Sequence, residues 1–365
     1  MFLKRVLISG GGTGGHIYPA LAIAGAIRAV YPDANIRFVG AEGRMEMEKV
    51  PQYGYTIDGI TISGLNRKNF LKNLSLPFKL YKSLRKVTRI LKEFKPQVVI
   101  GVGGYASGPL LRVAAKAHVP TLIQEQNSFP GITNKILAKD VNTICVAYPG
   151  LEKYFPANKI VLTGNPVRKF SAVIPEKEKE EAFRYFNLVP GRHVLLVIGG
   201  SLGARTINES VAKSFKDLNN QNIQLIWQTG KVHYENILEN MGKQPGLLPF
   251  IDRMDYAYAI ADVVISRAGA ISISELAMVG KPVILVPSPN VAEDHQTKNA
   301  LALVEKNAAI MVRDNEATDK LIPEAIALLG NKERQKELSE NILAFAKPDA
   351  AERIVKEVEK IALKN

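Results

Sequence analysis

At 365 residues the chain exceeds the roughly 250–300 at which one hydrophobic core stops growing, so two domains are expected. Apolar residues make up 46%, the single cysteine, Cys145, excludes an internal disulfide, and no run approaches the ~18 apolar residues of a membrane span, so a globular protein of a reducing, cytoplasmic compartment is expected. The net charge of +13 belongs to one half, since residues 1–163 carry 22 basic and 9 acidic side chains whereas residues 164–365 carry 26 of each.

In chain order, the opening "MFLKRVLISGGG" has too short an apolar stretch for a signal peptide and reads as a buried strand, "RVLIS". It runs into "SGGGTGGHIYPA", which holds G-x-G-x-x-G at Gly10, Gly12 and Gly15 and then His16. A second run, "IRFVG", leads to Glu42, roughly where a dinucleotide-binding dehydrogenase would place a carboxylate for ribose. Gly40 and Gly43 flank that residue, and His16 is not something a dinucleotide loop requires. The segment Gly64–Lys95 carries 10 basic residues against Glu93 alone. Within it Ser75 and Pro77 mark a helix start, with helix to about Phe94. At about 100° per residue, Leu80, Leu84, Val87, Leu91 and Phe94 share a core face. Lys82, Arg85, Lys86, Arg89 and Lys92 fall opposite, with Phe78 among them and Leu71, Leu74 and Leu76 just before.

Further runs, "QVVIGVGG", "TLIQEQN" and "TICVA", read as buried parallel strands, the first opening a second glycine loop at Gly103, Gly104 and Tyr105. The turn between halves is expected near Leu162–Phe170, before a Lys/Glu-rich helix in "PEKEKEEAFRYF". The theme then repeats with "HVLLVIGG", "IQLIWQTG", "DVVISRAG" and "PVILVPS". An amphipathic helix follows Pro348. Alternating strands and helices predict an α/β protein of two similar parallel-sheet halves.

Each half has a strand, a glycine loop and a helix start, the arrangement in which backbone N–H groups and a helix dipole hold a phosphate. Three such loops divided between two halves suggest two diphosphate-bearing ligands meeting in a cleft. The same glycines would also serve simple strand-to-helix turns. The basic segment calls for an anionic partner or is a solvated face. It has few aromatics placed to stack on bases, so nucleic acid is not the expected partner.

Taken together, "GGTGGHIYPA", "GGYASGP", "QEQNSFPGITNK", "GNPVR", "GGSLGARTIN", "FIDRM", "SRAGAISISELA" and "PSPNVAEDHQTKNA" closely resemble the MurG family of bacterial peptidoglycan glycosyltransferases, in order from Gly10 to about Ala309. The resemblance implies a GT-B fold, two Rossmann-like domains whose parallel sheets face a central cleft. It implies an inverting, metal-independent transfer of N-acetylglucosamine from UDP-GlcNAc to an undecaprenyl-diphosphate-linked muramoyl pentapeptide, with no cofactor. Residues 1–163 would form the acceptor- and membrane-facing domain, with 347–365 packed back on it, and 164–346 the donor domain. The enzyme would sit at the cytoplasmic face of the bacterial inner membrane. Leu74, Phe78, Lys82, Arg85 and Arg89 would meet anionic lipid there. A UDP-GlcNAc 2-epimerase shares the architecture and is the alternative.

The resemblance also assigns residues. His16 is the expected base for the incoming hydroxyl, a role its ordinary pKa of ~6.5 suits, although it could instead cap or pack the helix start. No Asp-x-Asp pair occurs, so N–H groups, hydroxyls and helix dipoles would neutralise the departing diphosphate. Ser201 would contact phosphate and Arg168 would supply a cation. Ala270, Ile271, Ser272, Ile273 and Ser274 would open a helix aimed at the donor. The backbone of Ile251 would meet uracil, and Glu275 would accept from both ribose hydroxyls. The Ser272–Glu275 spacing is also that of a capping box. Asn127 and Gln296 would contact the sugar, with Thr13, Gly14 and Gly15 lining the same cleft. Gly14, Gly15, Gly103, Gly104 and Tyr105 would hold the acceptor diphosphate. The family often has two adjacent glutamines after Asp-Arg, whereas this chain has Asp294, His295, Gln296 and Thr297, which bears on sugar selectivity.

Overall fold

The computed structural model describes residues 2–62, 76–167, 174–200, 202–291 and 294–363. It divides into two units, Met1–Arg168 with Lys347–Asn365, and Lys169–Ala346. The expected contributions of Leu74, Arg168 and Ser201 lie outside the described residues, as does Ser75.

The first unit is built on seven parallel strands: β1 (Arg5–Ser9), β2 (Asn35–Ala41), β3 (Thr56–Ile60), β4 (Val98–Gly101), β5 (Thr121–Glu125), β6 (Thr143–Val146) and β7 (Ile160–Leu162). Their spatial order is β3-β2-β1-β4-β5-β6-β7. Successive side chains of a strand point to opposite faces, and here both faces are covered. Val6 and Ile8 of β1 pack with Ile17, Ile23 and Ile27 of the helix Gly14–Val30 and with Ile354, Val355 and Val358 of the C-terminal helix Ala350–Ala362. Leu7 packs on the other side with Val87, Ile90 and Leu91 of the helix Leu76–Phe94 and Leu110 and Leu111 of the helix Ser107–Lys116. Cys145 is buried in β6, where burial pushes its thiol pKa up and leaves it a packing group.

The second unit has six parallel strands: β8 (His193–Ile198), β9 (Ile223–Gln228), β10 (Leu247–Leu248), β11 (Val263–Ser266), β12 (Val283–Leu285) and β13 (Ile310–Met311). Their order is β10-β9-β8-β11-β12-β13, the doubly wound arrangement. Val194, Leu196 and Ile198 face one core, Leu195 and Val197 the other.

Two expectations about the basic helix need correction. Leu80, expected on the core face, is 44% exposed, and Leu84 is only half-buried, while Ser83 and Ile90 are buried instead. The first turns of the helix therefore carry no core contact, and its seal against the sheet begins at Ser83, whose hydroxyl donates to the Thr61 carbonyl at 2.8 Å.

Ile354 is fully buried against the first helix. Ile354→Ala should lower the stability of the first unit by about 2–5 kcal/mol, the usual cost of emptying such a site. Urea unfolding followed on that unit's transition checks this; an unmoved midpoint would mean that the C-terminal helix is not part of its core.

Candidate functional site

In doubly wound sheets, ligands bind beyond the carboxyl ends of the strands where the strand order reverses. In the first unit that point lies between β1 and β4. The loop leaving β1 ends at Thr13, the N-cap of the helix Gly14–Val30. The first N–H groups of that helix, those of Gly14 and Gly15 among them, have no partner inside it and stand at the positive end of its dipole. The loop leaving β4 lies against them. Gly103 has φ +94°, and a Cβ on it would sit 2.6 Å from Cδ2 and 2.8 Å from Nε2 of His16. A Cβ on Gly104 would strike the Gly11 carbonyl oxygen at 2.4 Å. Glycine at both places is what lets this loop touch the imidazole. Gly14, Gly15, His16, Gly103 and Gly104 are thus brought together, and the Tyr105 side chain is exposed beside them.

His16 Nδ1 lies 3.1 Å from the Gly11 carbonyl and 3.4 Å from Thr13 Oγ1. A carbonyl can only accept, so Nδ1 carries the hydrogen of the neutral ring and Nε2 carries the lone pair. Burial pushes the imidazole pKa below its ordinary 6.5, against the opposing pull of Glu125, the Gly11 carbonyl and Glu46. The ring's lone pair then sits on Nε2, the nitrogen turned to Gly103 in the β4 loop.

Two carboxylates that sequence reasoning passed over shape this site. Glu125, buried at the end of β5, accepts from the Asn127 and Gly131 backbone N–H groups at 3.0 Å each. It also accepts from the side-chain amides of Asn127 at 3.2 Å and Asn134 at 2.9 Å. Asn127, expected at the sugar, thus has its Nδ2 turned into its own loop. Glu46 is wholly buried and holds the Gly12 and Ala41 N–H groups at 2.9 and 3.0 Å. An acidic residue ending a buried apolar run was the signal for Glu125; Glu46 had none. Glu42, the candidate ribose carboxylate of a dehydrogenase, instead accepts from Thr61 Oγ1 at 2.7 Å and Lys86 Nζ at 3.0 Å, and those bonds hold its pKa down.

In the second unit the reversal falls between β8 and β11. The loop after β8 passes so close to the loop after β9 that a Cβ on Gly203, at φ +79°, would lie 1.9 Å from the Thr229 carbonyl oxygen. Gln228 crosses between them. Its Nε2 donates to the Gly200 carbonyl at 2.9 Å and its Oε1 accepts the Ile251 N–H at 2.9 Å. The Ile251 N–H is therefore taken up within the protein.

After β11, Gly269 is the N-cap of the helix Ala270–Val279. This corrects the capping-box expectation: Ser272 lies inside the helix, and Glu275 in its second turn is nearly buried, so the pair does not cap. Ala270, Ile271, Ser272 and Ile273 form the first turn, and Ser274 Oγ donates back to the Ala270 carbonyl at 2.9 Å. Gln296 accepts the Ser288 N–H on Oε1 at 2.9 Å, which leaves its Nε2 to donate. Thr297 Oγ1 donates to Asp294 Oδ1 at 2.6 Å. Arg267, the cation beside the loop, is locked on the Val286 and Pro287 carbonyls and on Asp314, so it is structural. Among the described residues no cluster of three or more His, Cys, Asp or Glu side chains is placed to hold a metal ion.

The basic helix presents Phe78 at 62%, Leu80 at 44% and Tyr81 at 57% exposure. Lys82 Nζ stands 4.6 Å from the Phe78 ring centre and the Arg85 guanidinium 5.8 Å from that of Tyr81. Arg89 is exposed and pairs with Glu93 at 2.7 Å. Among the described residues no helix is long and apolar enough to cross a membrane.

Comparison with known proteins agrees with this layout. The glycosyltransferase family 28 N-terminal domain matches residues 6–146 and its C-terminal domain residues 194–354. The UDP-N-acetylglucosamine–N-acetylmuramyl-(pentapeptide) pyrophosphoryl-undecaprenol N-acetylglucosamine transferase of Cytophaga hutchinsonii is 57% identical over 354 residues, 97% of this chain and 96% of its own. The Bacteroides fragilis protein of the same name is 55% identical over 364 residues, 98% and 96% of the two chains. The crystal structure of Acinetobacter baumannii MurG superposes with a TM-score of 0.74 at 29% identity, covering 98% of this chain and 99% of that one. With both domains present in order and relatives this similar along nearly the whole length, the chain belongs to glycosyltransferase family 28 and, within it, to the MurG family.

Proposed function

We propose that the chain moves N-acetylglucosamine from UDP-GlcNAc to the C4 hydroxyl of undecaprenyl-diphosphate-linked N-acetylmuramoyl pentapeptide, with inversion. The family supports the reaction, and one observation supports its base: His16 Nδ1 lies 3.1 Å from the Gly11 carbonyl, an acceptor that favours the proton on Nδ1 and the lone pair on Nε2. Nε2 takes the proton of the acceptor hydroxyl while that oxygen bonds to the anomeric carbon and the bond from that carbon to the diphosphate oxygen breaks. The charge on UDP is met by the first-turn N–H groups of the helix Ala270–Val279. Glu275 reads the ribose hydroxyls, the Ile251 carbonyl receives the uracil N3–H, and Gln296 Nε2 donates to the sugar. Gly14, Gly15, Gly103, Gly104 and Tyr105 hold the acceptor diphosphate.

The acceptor's lipid stays in the bilayer, so the enzyme must come to it. The exposed aromatics among cations at the start of the helix Leu76–Phe94 support docking there on anionic lipid, at the cytoplasmic face of the inner membrane.

Three measurements test this reading. Mass spectrometry of UDP-GlcNAc plus a short-chain acceptor analogue should find the disaccharide product; ManNAc formed from the donor alone would point to epimerisation instead. In the same assay His16→Ala should lower kcat by about 10²–10⁴ with donor affinity nearly unchanged. Because only the neutral ring is a base and its pKa is lowered, activity should persist below pH 6.5 before the acidic limb appears. Glu275→Ala should weaken UDP binding by about 1.5–3 kcal/mol and 2′-deoxy-UDP binding much less, by calorimetry; equal losses would remove Glu275 from the ribose. In sedimentation with phosphatidylglycerol vesicles, binding should fall steeply with salt and be weak on neutral vesicles. The combined Phe78→Ser, Arg85→Glu, Arg89→Glu variant should stay in the supernatant yet keep its UDP affinity, and undiminished binding would move the membrane face elsewhere.

A further inference from the structure

We propose that Glu46 is a positioning residue for His16, acting through the single peptide group that joins Gly11 to Gly12. The Gly12 N–H and the Gly11 carbonyl belong to that one planar unit. In a trans peptide these two bonds point in opposite directions, so fixing one fixes the other. Glu46 Oε2 accepts the N–H at 2.9 Å, and the carbonyl on the far side accepts from His16 Nδ1 at 3.1 Å. The carboxylate is wholly buried, and its second oxygen accepts the Ala41 N–H at 3.0 Å, so it is anchored to the end of β2.

The surroundings are cut to fit this relay. A Cβ on Gly11 would overlap Glu46 Oε1 at 2.2 Å, and one on Gly40 would meet its Cγ at 2.6 Å. On the other side Gly104 closes on the Gly11 carbonyl. The peptide is held between a carboxylate and a loop, with no room to flip. A negative charge on the N–H side polarises the peptide and makes its carbonyl a better acceptor. That favours the Nδ1–H tautomer, the one that leaves Nε2 basic. The charged groups that reach the ring are Glu125 at the end of β5 and Glu46 itself, and both favour the imidazolium that forms as the proton arrives. Glu46 thus does at one peptide's remove what a carboxylate bonded directly to imidazole does in a hydrolytic triad.

The inference rests on His16 being the base, and its test separates the two ideas. Glu46→Gln keeps shape and volume but removes the charge and leaves the side-chain amide with only one acceptor oxygen. In the full chain, kcat should fall about 10-fold or more with UDP affinity unchanged. The acidic limb of the pH–rate profile should move to lower pH, because a charge that stabilised the imidazolium is gone. Nitrogen-15 NMR of labelled histidine should show a protonated Nδ1 in the parent and a mixture of tautomers in Glu46→Gln. A tautomer and a pH profile both unmoved by the substitution would overturn the relay. If the variant does not fold, the parent decides: the Glu46 carboxyl carbon and the Gly12 amide should shift with the same midpoint as His16, and independent titration, or an Nε2–H ring, overturns the proposal. Should His16→Ala retain turnover while the tautomer still follows Glu46, the base assignment fails and the relay stands.

Discussion

Parallel strands cannot be joined by tight turns, and this constraint governs both units. Each strand must be followed by a crossover, and crossovers of one hand lay helices over both faces of the sheet. Burial on both faces then leaves the strands' carboxyl ends as the place where polar loops can gather. At β1/β4 and at β8/β11 neighbouring crossovers diverge to opposite faces, and the loops that part there need not fill the space between them. In the first unit His16 and its glycine loops stand at the reversal, Glu125 on the adjoining end of β5, and Glu46 reaches in from beyond the end of β2.

Within that frame, close approach of backbone to backbone decides the details. The imidazole of His16 touches a loop that can carry no Cβ, and the peptide behind the imidazole is backed by a buried carboxylate. In the second unit the same device joins the loops after β8 and β9, with Gln228 as the tie that consumes the Ile251 N–H. At Gly103, Gly104 and Gly203 glycine is required by close contact, so the explanation open from sequence in which these glycines shape the turns accounts for those positions.

The nine apolar runs read as strands are the interior strands, β1, β2, β4, β5 and β6 in one sheet and β8, β9, β11 and β12 in the other. The four that escaped, β3, β7, β10 and β13, are all edges. An interior strand is buried on both faces and reads as an unbroken apolar stretch; "TIDGI" at an edge carries Asp58 and Gly59 and does not. The site divides in the same way. His16 and the glycine loops announce themselves by residue type and spacing. Glu46 does not, because its partners are backbone N–H groups 34 and 5 residues away that no letter of the sequence marks. Leu80 was misplaced because helical periodicity reports which residues share a face, not where along the helix the neighbouring sheet begins.

The C-terminal helix Ala350–Ala362 bears on how the molecule is made. Ile354, Val355, Val358 and Ala362 complete a core whose other buried members come from the first 150 residues. Domains tend to fold as they leave the ribosome. Here the second unit, a continuous stretch, is fully synthesised while the first still lacks one of its helices. The unit translated first is therefore the last to close, and until the final turns emerge it waits with a strip of its apolar core open to solvent or to a chaperone.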